Sequence, residues 1–109
     1  MTIAQKNIIP GVLLTGSAAT YYTAPALTRA RICNATLTNN SGGAVACTVN
    51  IVTSGDTAAL KNQKISARSI ANGETYTCPE LIGRILEPGD FISALGLSVA
   101  FDVSAFTQV

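Results

Sequence analysis

The sequence predicts an all-β domain: an antiparallel β-sandwich, jelly-roll or immunoglobulin-like, with about eight strands and one short helical turn near residues 79–85. Apolar and polar residues alternate with period two over several runs, as a strand with one buried face requires. Clusters of Gly, Asn, Asp and Pro separate these runs at the roughly 8–12-residue spacing of sandwiches and barrels. Hydrophobic residues make up 48% of the chain and aromatics only 6%, so the core is built from Ile, Val, Leu and Ala. A chain of 109 residues has room for one such core. Residues 1–18 read as an N-terminal arm or edge strand, and residues 19–109 as a single sandwich domain.

The first segment, "MTIAQKNIIPGVLLTG", carries Ile3, Ile8, Ile9, Val12 and Leu13. It is either an arm that docks across a neighbouring subunit or a first edge strand behind a frayed terminus. These five residues are therefore candidate interface residues, with a short strand around Val12 to Leu14. If the arm docks, removing its first ten or so residues leaves the sandwich folded. "SAATYYTAP" places Tyr21 and Tyr22 in a short strand closed by Pro25. From Arg29 to Thr38, Arg31, Cys33, Ala35 and Leu37 share one parity, and "NNSGGAV" then supplies hairpin chemistry.

In "AVACTVNIVTSG", Val45, Cys47, Val49 and Ile51 alternate with Ala46, Thr48 and Asn50 until Val52 breaks the pattern. Gly55 and Asp56 form a turn. "NQKISARSI" resumes an extended run with Ile65, Ala67 and Ile70 inward. Asn72-Gly73 signals a type I′ hairpin, because both central positions of that turn need positive φ. Pro79 suits a first helical position, so "PELIGRI" reads as one or two helical turns with Leu81, Ile82 and Ile85 as the apolar face. "EPGD" then places Pro88 and Gly89 as a type II turn requires. The last run alternates Leu97, Val99, Phe101, Val103 and Ala105 inward, with Gly96 as a bend.

Composition also limits function. Charged residues are 12% of the chain and the formal net charge is +1, against roughly 25% charged residues in an ordinary soluble domain. Such a surface is poorly protected against association, which points to coverage by copies of the same chain or by a partner. The seven cations are spread along the chain, so no nucleic-acid footprint arises. "GVLL" is too short for a membrane span, and the N-terminus lacks a secretory pattern. Neither nucleic acid nor membrane is an expected partner.

Three cysteines, no His and no C-x-x-C pair leave no ligand set for zinc and no base for a Ser or Cys nucleophile. No metal, no cofactor and no catalytic residue are expected. Glu80, Glu87 and Asp90 crowd "TYTCPELIGRILEPGD", but capping and turn chemistry account for acidic residues at such places. Arg29 and Arg31, two apart on one strand, are expected to pair with carboxylates of a neighbouring strand or subunit. They complete the candidate interface.

Four stretches carry a resemblance: Tyr22 to Ala30 ("YTAPALTRA"), Asn40 to Val49, Ile70 to Thr75 ("IANGET") and Leu81 to Ile92 with its "LEPGD". Their order resembles a family of small structural proteins of tailed-bacteriophage virions, over about residues 20 to 103. The resemblance implies a β-sandwich in a virion, made in the host bacterial cytoplasm and attached to head, neck or tail. The sequence ends at Val109 without an added receptor-binding module, which favours a capsid decoration or cement protein. Its partners would then be itself, as a homotrimer, and the major capsid protein or other virion proteins. Two alternatives stand beside this reading. One is a neck, collar or tail-associated component; the other is a carbohydrate- or ligand-binding β-sandwich module, for which Tyr21, Tyr22, Tyr76 and three Phe are the available platforms.

Overall fold

The computed structural model describes residues 3–109. Nine strands occupy them: β1 (Ile3–Leu13), β2 (Ala19–Thr23), β3 (Arg29–Asn39), β4 (Val45–Val52), β5 (Gln63–Ile70), β6 (Thr75–Thr77), β7 (Ile85–Leu86), β8 (Phe91–Leu95) and β9 (Val99–Gln108). One sheet runs β1-β9-β3-β6, with β7 also pairing with β3, and the other runs β2-β8-β4-β5. All pairs are antiparallel. Setting aside the two-residue β7, the first strand pairs with the last, the second with the next to last, the third with β6 and β4 with β5. That nesting is a long hairpin rolled into two sheets, the jelly roll.

The inner faces hold the core. Ile32, Ala35 and Leu37 of β3 and Val99, Phe101, Val103 and Ala105 of β9 meet Cys47 and Val49 of β4 and Ile92 and Ala94 of β8, all buried. Phe101 is the largest fully buried side chain, and truncating such a residue to Ala costs about 3–5 kcal/mol.

Residues 3–13 form one long edge strand against β9. Ile9, one of the candidate interface residues, is buried in the core of its own chain. The reason is a pair of register shifts. Lys6 pairs with Ala105, an inward position, so strict alternation would turn Ile8 inward next. The shift between Asn7 and Ile9 instead sets Ile9 against inward-facing Val103, and Gly11, at φ 65°, accommodates the second shift. A similar shift lies in β3 between Ile32 and Asn34. It makes Cys33 the extra residue. Arg31 therefore faces outward while Ala35 and Leu37 face the core, so the four residues assigned one parity do not share a face.

Neither expected hairpin forms. Residues 40–44 carry the chain from the first sheet to the second, and residues 71–74 carry it back. Buried Asn39 ties these crossings together. Its Nδ2 donates to the carbonyls of Gly43 and Ile70 at 2.7 Å each, and its Oδ1 accepts from the Ser41 amide at 2.9 Å. Gly73 has positive φ but Asn72 does not, so the turn is not type I′. Residues 79–83 form successive turns rather than a helix: Leu81 and Arg84 N–H donate to the carbonyls of Cys78 and Leu81. Backbone bonds to Ile32 from both Gly83 and Arg84 hold this segment against the β3 bulge. The short 3₁₀ turn lies instead at Leu60–Asn62.

Ile82 and Ile85, expected on an apolar face, are exposed, and so are two strand residues expected inside. Leu97 sits at the tip of the β8–β9 crossing, and Ala67, at φ 46°, lies in a bulge where its N–H donates to Thr48 Oγ1. "EPGD" matches its turn: Asp90 N–H donates to the Glu87 carbonyl at 2.9 Å, and Gly89 has φ 89°.

Candidate assembly surface

The acidic stretch resolves into separate structural tasks. Tyr76 Oη donates to the Glu80 carboxylate at 2.8 Å. Glu87 pairs with Arg29 at 2.8 Å, and Asp90 accepts from the amides of Ser54 and Glu87 at 2.9 Å each. Arg68 lies 3.9 Å from the Tyr76 ring centroid. That contact joins β5 of one sheet to β6 of the other along one open side of the sandwich.

The more distinctive feature lies at the other end of the outer face. Ala105 and Thr107 are buried, so Phe106 and Gln108 of β9 point outward. Register places Gln5, Phe106, Arg31 and Ile85 in one row and Ile3, Gln108 and Arg29 in the next. All of these but Gln5 line an open groove of about 290 Å³. Ile3, Ile85 and Phe106 are 62%, 56% and 43% exposed, an unusual load of apolar surface for three neighbouring positions. Residues 3–7 of β1 are exposed on both faces, so this end of the sheet overhangs its partner.

The site's charge follows from its two arginines. Glu87 neutralises Arg29, whereas Arg31 has no ion-pair partner among the described residues. The patch thus combines apolar surface with one guanidinium whose chemistry suits a carboxylate or carbonyl acceptor.

The structure thus gathers Ile3, Arg29 and Arg31 of the candidate interface and separates the rest. Ile8 and Val12 are partly buried against the core, Ile9 lies within it, and Leu13 is exposed at the opposite end of β1. Sequence reasoning missed Phe106 and Ile85. Phe106 was legible as an apolar residue on the outward parity of the last strand. Ile85 was assigned to the apolar face of a short helical turn that does not form.

Among the thiols, Cys47 and Cys78 are buried and Cys33 is half-buried, and all three are free. Burial raises the thiol pKa of Cys47, and pushes that of Cys78 up to about 12. Both are poor nucleophiles at neutral pH.

No known family profile and no curated protein matches the sequence. Among solved structures, the chain is similar to one from work described as "Bacillus endospore appendages form a novel family of disulfide-linked pili". The TM-score is 0.59 at 15% identity, covering 99% of this chain and 88% of that one. At that identity the likeness is one of fold, and it extends over nearly the whole jelly roll.

Proposed function

We propose that this chain is a non-enzymatic structural protein that works by association. In this reading it binds copies of itself and decorates the head lattice of a tailed phage as a cement protein. The observation that carries association is the overhanging patch of Ile3, Ile85 and Phe106 beside Arg31. The resemblance of the sequence to virion structural proteins supports the phage setting, and the fold shared with a structure described in work on pili supports a self-associating role. A trimer suits the threefold positions of a capsid lattice. Interfaces of roughly 1,000 Å² repeated by symmetry bind an assembled lattice far better than a free subunit, because each contact raises the effective concentration of the next.

A second reading is a filament subunit. The extent of the fold likeness favours it. Cys33 is the one half-exposed thiol, so a disulfide between subunits would run through it.

Co-sedimentation with expanded capsids, alongside negative-stain microscopy of the protein alone, tests the proposal. Recovery with capsids and discrete small oligomers support decoration. Recovery with isolated necks or tails moves the protein to the collar, and reductant-sensitive filaments favour the second reading. A protein that stays monomeric and binds none of these overturns association.

A further inference from the structure

We propose that residues Ile3–Asn7 of β1 pair antiparallel with the same residues of a second copy, joining two β1-β9-β3-β6 sheets into one continuous sheet across a twofold axis. The proposal rests on the association reading and names the contact that reading leaves open.

Sheet edges present unpaired N–H and C=O groups, and natural proteins guard them with bulges, proline, charge or short length. Among the described residues, three of the four edges are guarded. On one side of the first sheet, β6 has three residues and β7 two. The second sheet ends in β2, with five residues and a register shift between Thr20 and Tyr22, and in β5. The latter has two register shifts, carries Lys64 and Arg68, and bulges at Ala67.

The fourth edge, β1, is divided. Its second half is guarded by Pro10, the Gly11 bend and two register shifts. Its first half has no proline, no bend and no register shift, and Lys6 is its one charged guard. Ile3, Ala4, Gln5, Lys6 and Asn7 match Gln108 to Ser104 residue for residue without interruption, and their side chains are exposed on both faces. A strand with so regular a register and a single charge is a template for another strand.

A second copy is the occupant because the segment is self-complementary. With Gln5 opposite Gln5 on the twofold axis, Ile3 faces Asn7 and Ala4 faces Lys6 of the other copy. The one charge on the segment then meets a small neutral residue and not its own kind, so no like charges lie directly opposite. Pairing of this isologous type also satisfies both edges at once and closes, leaving no further copy of the template open. It places the two Phe106 patches on the same outer face of the joined sheet.

The test uses the full chain and position 4, whose side chain is exposed. Ala4→Lys sets Lys opposite Lys6 at two symmetry-related places and should weaken dimerisation about tenfold, within the range for opposed like charges counted twice. Ala4→Glu sets Glu opposite Lys6 and should strengthen it. Sedimentation velocity over a concentration series reads both, and amide hydrogen exchange reads concentration-dependent protection within residues 3–7. Opposite shifts from Lys and Glu, with that protection, support the pairing. If the protein associates with an unchanged midpoint in both variants and these amides stay unprotected, edge pairing is overturned while association stands. A wild-type chain that is monomeric throughout and ignores capsids overturns both.

Discussion

Cys78 shows how a single buried group ties stability to pH. Removal from water, the main cause, raises its pKa from the ordinary 9.0 to about 12. Between these values the unfolded chain loses the thiol proton and the folded chain keeps it. The native state therefore binds more protons, and stability falls as pH rises through that window. Its contribution is fully present below pH 9.0. Urea melts at about pH 8 and about pH 10 should show the loss, and Cys78→Ala should lessen it. Gly89 provides a second residue-scale test. A Cβ there would lie 2.5 Å from Ser54 Oγ on a backbone at φ 89°, so Gly89→Val should cost about 1–3 kcal/mol or more. Glu87→Gln breaks one exposed ion pair and should cost under about 1 kcal/mol. Equal urea midpoints for the two variants would remove the strained-turn account. The Pro88-Gly89 signal was legible because a type II turn is specified by its own two central residues. No longer-range information was needed.

At the scale of elements, sequence alternation located the strands but not their irregularities. A bulge is a relation between two strands, so nothing within "RARICNATLT" marks Cys33 as the extra residue; it emerges only when β9 is laid alongside. The same holds for Ile8 beside Ile9. Turn chemistry had a similar limit. Asn, Ser and Gly announce that the chain can take positive φ, but not whether the next strand joins the same sheet or the facing one. Here the crossing is held by Asn39, whose amide serves both connecting segments. Asn39→Ala would take its donor from the buried Ile70 carbonyl, at about 1–3 kcal/mol for a buried group left unpaired, while the exposed Gly43 carbonyl keeps Ser41 Oγ and water. Asn72, which accepts from the exposed Gly42 N–H, should tolerate Ala at under about 1 kcal/mol. Thermal melts of the two variants check this, and comparable losses would show that Asn39 is not the tie between the sheets.

For the molecule as a whole, fold class was legible because periodicity and turn spacing are global properties of the sequence, insensitive to one misplaced bulge. The assembly patch was only partly so. Ile3, Arg29 and Arg31 could be named, but their meeting with Phe106 and Ile85 depends on the register of four strands. The fate of the N-terminal segment depended on the same register, and the structure changes what a truncation should do. Removing residues 1–10 takes away Ile9, which is buried in the core, and strips β9 of the neighbour that covers it. Loss of a buried Ile alone costs about 2–5 kcal/mol, comparable to much of a small domain's stability of about 5–15 kcal/mol. That truncation should melt far below the full chain or fail to fold. Removing residues 1–6 leaves Ile9 and its pairing with Val103 in place, and should keep a cooperative melt close to the parent while abolishing association through the edge. Calorimetry and sedimentation on the two truncations together decide the matter. If the longer one folds as well as the shorter, β1 is a detachable arm after all and its role in closing the jelly roll is wrong.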